Sequence, residues 1–213
     1  MNIEQEQRLL RRQLEARGIR DPRVLDAIER TRRDFFVPEE LRDRAYEDIA
    51  LPIGEGQTIS QPYIVALMTE ALALQGDENV LEIGTGSGYQ AAMLCHLCRH
   101  VVTIERREAL QQAARILLDE IGCENIEYAV GDGTLGYPER APYDGILVTA
   151  AAPVIPRPLF DQLADGGRLV VPVGDEFAQE LQLVRREGDG AVAEKLCDCR
   201  FVKLIGAAGW PGE

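Results

Sequence analysis

Apolar residues recur along this chain in two rhythms. Over the first 75 residues the spacing is helical. Leu9, Leu10 and Leu14 punctuate a charged stretch at 3–17, Val24, Leu25 and Ile28 lie on one side of 23–30, and Ile64, Leu67, Met68, Ala71 and Leu72 follow the same period in 64–74. Gly18 is placed to stop the first helix, and Asp21-Pro22 reads as an N-cap followed by proline at the first helical position of the second. Arg33-Asp34-Phe35-Phe36-Val37-Pro38 is a dense apolar patch, expected to anchor this helical preface to the rest. Residues 45–52 read as irregular and 53–57 as glycine-rich.

Beyond Asn79 the rhythm changes. Short, nearly continuous Val/Ile/Leu runs at 80–83, 101–104, 126–130, 145–149 and 168–173 alternate with helical patterns at 90–97, 107–121 and 158–163. Such runs predict an α/β fold with a mostly parallel central sheet and helices on both faces. Residues 180–185 and 192–196, joined across Gly188-Asp189-Gly190, predict a C-terminal antiparallel hairpin. A chain of 213 residues without repeats or low-complexity linkers suits a single domain over 1–213. Residues 1–75 form its helical N-terminal extension and 76–213 its α/β core.

Charge narrows the function classes. Lys plus Arg is 23 and Asp plus Glu is 36, a net charge of −13, which argues against a nucleic-acid binder or adhesion to an anionic membrane. No apolar run approaches the roughly 20 residues that span a bilayer. The first 20 residues are charged throughout, so no signal peptide is expected and the cytoplasm is the expected location. Five cysteines, an odd number, fit reduced thiols. Cys95 and Cys98 near His96 and His100, or Cys197 and Cys199, could be drawn as a metal site. Without a knuckle-like turn they read as small apolar fillers, and no metal is expected.

The candidate chemistry lies at the strand ends, where open α/β sheets bind ligands. Val80-Leu81-Glu82-Ile83-Gly84-Thr85-Gly86-Ser87-Gly88 is a strand, a tight turn and a helix start, suited to a nucleotide-like cofactor. The dinucleotide fingerprint G-x-G-x-x-G fails at Tyr89, which leaves a dehydrogenase as a distant alternative. Glu105 ends the second strand, about 20 residues past the first glycine, where an acid can accept from ribose hydroxyls. Asp132, between Gly131 and Gly133, could accept from an adenine amino group. Thr149-Ala150-Ala151-Ala152-Pro153 is a loop of small residues with room for a substrate. Singly, Glu105 and Asp132 read as ordinary exposed acids at strand ends; with the glycine turn they form a pattern at three successive strand ends. Ser60, at or one residue before the cap of the 64–74 helix, either caps it with Thr58 or offers a hydroxyl to a carboxylate.

The run E-x-G-x-G-x-G from Glu82 resembles the first motif of Rossmann-like S-adenosylmethionine-dependent methyltransferases. The resemblance sharpens with Asp34-Phe35-Phe36-Val37-Pro38, Gly56-Gln57-Thr58-Ile59-Ser60-Gln61-Pro62, Gly131-Asp132-Gly133, Ala141-Pro142-Tyr143-Asp144, Ala150-Ala151-Ala152-Pro153 and the run from Leu163 to Gly174. From about residue 5 to about residue 210 the chain resembles the protein-L-isoaspartate O-methyltransferases, and Thr-Ile-Ser-Gln-Pro is the most specific marker.

That resemblance implies methyl transfer from S-adenosylmethionine, leaving S-adenosylhomocysteine, to the α-carboxylate of isoaspartyl residues in damaged proteins and peptides. The ester then collapses to a succinimide and partly to aspartate. The resemblance also implies Ser60 as the active-site serine, and Thr58, Ile59, Glu82, Gly84, Thr85, Gly86, Gly88, Glu105, Asp132 and Gly133 as cofactor-binding. Ser60, Ala151, Ala152, Phe201 and Val202 would meet the substrate, and a monomer is expected. Lys203 stands where the family commonly has proline, facing either the substrate or solvent. Two rivals stay open: a methyltransferase acting on another acceptor, and a nucleotide-binding module that has kept the pocket without the chemistry.

Overall fold

The computed structural model describes residues 2–212. Two helices open it, α1 (Ile3–Ala16) and α2 (Pro22–Arg30). Asn2 and Gln5 close a reciprocal capping box at the start of α1, and Asp21 caps α2 ahead of Pro22. Two 3₁₀ turns, Arg33–Phe36 and Glu39–Arg44, lead into an antiparallel ribbon of β1 (Leu51–Gly54) and β2 (Gln57–Ile59). The sequence pattern missed this ribbon, because Pro52, Gly54 and Gly56 break any period-2 alternation and the register shifts between Pro52 and Gly54.

The main sheet follows: α3 (Pro62–Leu72), β3 (Asn79–Ile83), α4 (Tyr89–Cys95), β4 (His100–Glu105), α5 (Glu108–Glu120), β5 (Ile126–Val130), β6 (Tyr143–Val148), α6 (Arg157–Asp161), β7 (Leu163–Gly174), β8 (Gln179–Glu187) and β9 (Gly190–Cys199). Its strand order is β5-β4-β3-β6-β7-β8-β9. The first five are mutually parallel, and β8 and β9 add antiparallel. The order steps outward from β3 in both directions, so the crevice for a ligand falls beyond Ile83, where β3 meets β4 and β6.

Alternation within the strands divides the core. Val80, Val101, Leu147 and Val170 face a cluster that extends through Met68 and Ala92 to Leu10, Leu14 and Ile28 of the first two helices. Leu81, Val102, Ile146 and Leu169 face a second cluster with Leu159 and Leu204. Both faces are covered, unequally. The second has only the five-residue α6, shorter than its pattern predicted, with 3₁₀ turns and the C-terminal segment.

Candidate active site

Parallel registry brings the ends of β3, β4 and β6 to one edge, with Ile83 opposite both Ile104 and Val148. The chain turns there through Gly84 with φ +95°. A Cβ on Gly84 would lie 2.3 Å from Thr149 Oγ1, whose hydroxyl donates to Gly84 O at 2.7 Å, so only glycine fits. Gly88, with φ +89°, begins α4 and packs closely on Ala114 and Leu118. Glu105 takes the Gly86 N–H at 3.0 Å on one carboxylate oxygen and the Arg107 N–H at 3.0 Å on the other. The second strand end thereby holds the glycine turn of the first.

A cavity opens above this turn. Gly84, Thr85 and Gly86 form its floor, Ile104, Glu105 and Gly133 one side, and Thr58, Ile59 and Ser60 the other. Thr149, Ala150 and the segment Val202–Ile205 complete it. A second depression, lined by Arg17, Tyr63, Arg200 and Phe201, shares Thr58, Ser60, Thr149 and Val202 with the first. Ser60 therefore stands on the wall common to both.

Ser60 is not a helix cap. Gln61 occupies the cap position of α3 with no side-chain hydrogen bond, and neither Ser60 nor Thr58 bonds the helix start. Asp48 Oδ1 instead accepts the Tyr63 N–H at 2.8 Å, which withdraws one helix-start donor from any ligand. Among the described residues the Ser60 hydroxyl makes no hydrogen bond, while its backbone carbonyl accepts from Arg33 at 3.0 Å.

Several predicted residues lie behind the site. Glu82 does not line the cavity; it is 0% exposed, and its Oε2 accepts from Thr103 Oγ1 at 2.5 Å. Thr103 in turn meets Thr85 Oγ1 at 2.7 Å, so Glu82 reaches the glycine turn through two hydroxyls. Burial, opposed by the Thr103 bond and reinforced by the charge of Glu105, pushes the Glu82 carboxyl up to about 8. Its Oε1 has no partner. Gly88 is buried beneath α4 and α5.

Asp132 does not line the cavity either. One oxygen accepts from Thr134 N and Oγ1 at 2.9 and 2.6 Å, and the other from Ala207 N at 2.7 Å. Partial burial works to raise the Asp132 carboxyl, but these bonds outweigh it and hold the group below the usual range.

In the small-residue loop it is Ala150 that faces the cavity. Ala151 and Ala152 are 0% exposed, bridged to Lys203 and Val173. Phe201 lines only the second depression, and Val202 lines both. The Lys203 ammonium, 44% exposed, pairs with Glu176 at 2.5 Å and lies 5.4 Å from the Trp210 ring centroid.

Tyr89 and Arg106 line the cavity without having been singled out from sequence as site residues, and Thr149, read only as the start of the small-residue loop, lines it too. Tyr89 was visible only as the residue that spoils the dinucleotide fingerprint. Its hydroxyl is buried with no partner. The five cysteines are free, and no cluster of three or more potential metal ligands occurs among the described residues. No helix among them is long and apolar enough to cross a membrane.

Comparison with known proteins agrees with this geometry. The profile of the protein-L-isoaspartate(D-aspartate) O-methyltransferases matches residues 4–209. The chain is 56% identical over 205 residues to protein-L-isoaspartate O-methyltransferase 1 of Syntrophobacter fumaroxidans, covering 96% of each chain. It is 54% identical to the protein-L-isoaspartate O-methyltransferase of a Roseiflexus species, covering 100% of this chain and 98% of that one. A solved protein-L-isoaspartate O-methyltransferase superposes with a TM-score of 0.85 at 31% identity, over 95% of this chain and 67% of that one. A Plasmodium falciparum protein solved with S-adenosyl-L-homocysteine shares the fold, with a TM-score of 0.81 at 24% identity over 96% of this chain and 99% of that one. With the glycine turn, Glu105 and Ser60 converging on one cavity, and with relatives this similar over nearly the whole length, the chain belongs to the protein-L-isoaspartate(D-aspartate) O-methyltransferase family.

Proposed function

We propose that this protein transfers a methyl group from S-adenosylmethionine to the free α-carboxylate of L-isoaspartyl residues in damaged proteins and peptides, which starts their repair through a succinimide to aspartate. The observation that carries the reading is the position of Ser60, an uncommitted hydroxyl on the wall shared by two cavities. One cavity has the character of a cofactor site and the other is open to an extended peptide.

The residues present fit the cofactor. The turn at Gly84 and Gly86 offers backbone without side chains, and Glu105 and Gly133 stand at the next two strand ends. Tyr89 lines the same cavity, and its hydroxyl is buried without a partner. When bound, S-adenosylmethionine supplies a methyl group already activated on a sulfonium. Glu105 would accept from ribose hydroxyls while keeping the Gly86 N–H, and Gly133, with Asp132 behind it, would border the adenine. Glu82 would act at one remove, holding Thr103 and Thr85 beneath the turn.

The chain has little covalent work to do. A carboxylate is already deprotonated near neutral pH, so no general base is needed. Ser60 Oγ donates to the acceptor carboxylate and orients it, so the rate gain comes from alignment established at binding. Phe201 and Val202 wall the peptide side, and Ile59, Val202 and Leu204 supply apolar surface that excludes water. The net charge of −13 speaks against a nucleic-acid partner, and the same proposal takes the protein to act as a monomer. Five free cysteines support a reducing, cytoplasmic setting.

Replacing Ser60 tests the assignment. Ser60→Ala should lower kcat on an isoaspartyl peptide by about 10²-fold, while S-adenosylmethionine affinity stays within about threefold. Unchanged turnover would remove Ser60 from the mechanism.

A further inference from the structure

Arg33 is the largest side chain in the interior, 0% exposed. Its guanidinium donates to three backbone carbonyls: Nη1 to Ala45 O, and Nη2 to Ile49 O at 3.1 Å and Ser60 O at 3.0 Å. Among the described residues no carboxylate pairs with it. Asp34 next door is taken by Arg32 and the Tyr46 hydroxyl, and Asp48 by Arg17. The Nε of Arg33 has no partner, and its guanidinium carbon lies 5.7 Å from the centroid of the Tyr89 ring, which lines the cofactor cavity. Buried charges are ordinarily paired, since an isolated one is costly. An arginine held by carbonyls alone at this depth calls for an explanation, and the explanation lies in which carbonyls it holds.

Ile49 precedes β1 and Ser60 follows β2, so a single guanidinium group ties together the two ends of the ribbon. The rest of the ribbon reaches over the glycine turn. The Ile53 side chain lies 3.6 Å from where a Cβ on Gly86 would be, and Glu55 pairs with Arg107 at 2.9 Å. We infer that Arg33 is a positioning residue for methyl transfer: by clamping the base of the ribbon it sets the place of Ser60, and with it the acceptor carboxylate. The planar fork explains why arginine stands here, because a lysine ammonium cannot span three carbonyls held in a fixed arrangement. This rests on the reading that Ser60 orients the carboxylate.

The test is a double-mutant cycle of Arg33→Lys with Ser60→Ala, with kcat and KM measured on an isoaspartyl peptide and S-adenosylmethionine affinity measured separately by calorimetry. Arg33→Lys keeps the charge and loses the fork. Alone it should lower kcat/KM for the peptide by about tenfold or more, with cofactor affinity within about threefold. In the Ser60→Ala background the same change should cost less than about threefold, because Arg33 acts through Ser60. Equal losses in both backgrounds, wild-type kinetics of Arg33→Lys, or failure of that variant to fold would each overturn the inference, the last by making Arg33 a folding residue. If Ser60→Ala alone leaves methylation unchanged, it is the reading of Ser60 that falls. If Ser60→Ala is impaired and Arg33→Lys is not, only the inference about Arg33 falls.

Discussion

Glu82 gives the protein a stability that depends on pH in a definite direction. In the folded chain its carboxyl titrates at about 8 rather than the ordinary 4.5, because burial opposes charge there and Glu105 adds repulsion. Between those two values the folded protein binds more protons than the unfolded chain, so this residue's contribution falls as pH rises and is flat below and above the window. Each pH unit inside it is worth about 1.4 kcal/mol.

Glu82→Gln removes the titration while keeping the shape. Its amide leaves a buried polar group imperfectly paired, at a cost of about 1–3 kcal/mol that is the same at every pH and cancels when the two pH values are compared. The difference in unfolding free energy between the Glu82→Gln variant and wild type should therefore shift in favour of the variant by about 3 kcal/mol between about pH 5 and pH 7. In melting temperature that is roughly 5–10 °C for a chain of this size. Urea unfolding of both proteins at the two pH values, with equal m-values, measures it. A gap that does not change with pH would refute the reasoning and mean that Glu82 is ionised in the folded protein.

A Gly84→Ala variant should lose about 2 kcal/mol or more of stability and bind the cofactor poorly, since its φ is +95° and its new Cβ would meet Thr149 Oγ1 at 2.3 Å. Adding Thr149→Ala should recover only the steric part, and thermal melts of the single and double variants separate the two. With a net charge of −13 the chain offers no long-range attraction to an anionic acceptor. The kcat/KM on an isoaspartyl peptide should accordingly change less than about threefold between low and physiological salt. A steep fall would point to electrostatic steering.

The large sheet was legible because parallel strands buried on both faces leave nearly continuous Val/Ile/Leu runs, clearest in β4, β6 and β7 and weakest in β5 at the sheet edge. The strand-end chemistry was legible for the same reason: once Ile83 and Ile104 are seen to end strands, Gly84 and Glu105 must share an edge. What escaped depends on contacts far apart in the chain. Asp132 read as a free acid or an acceptor for adenine; its second oxygen is taken by Ala207, 75 residues away, although Thr134, which holds the first, is local. Ala150 could not be told from Ala151 or Ala152, since only the bridges to Lys203 and Val173 decide which one faces the cavity. Arg33 opens the apolar patch 33–38 but directly follows Arg30, Thr31 and Arg32 in the sequence. Nothing local distinguishes it from Arg32, yet one is on the surface and the other is buried at the base of the ribbon.

The central claim concerns the identity of the methyl acceptor. The most direct measurement offers the enzyme two peptides of identical sequence, one carrying L-isoaspartate and the other L-aspartate at the same position, with S-adenosylmethionine labelled in its methyl group. The account predicts a base-labile methyl ester on the isoaspartyl peptide and none above background on the aspartyl one. Equal labelling of both peptides, or cofactor binding with no methyl transfer to either, would contradict it.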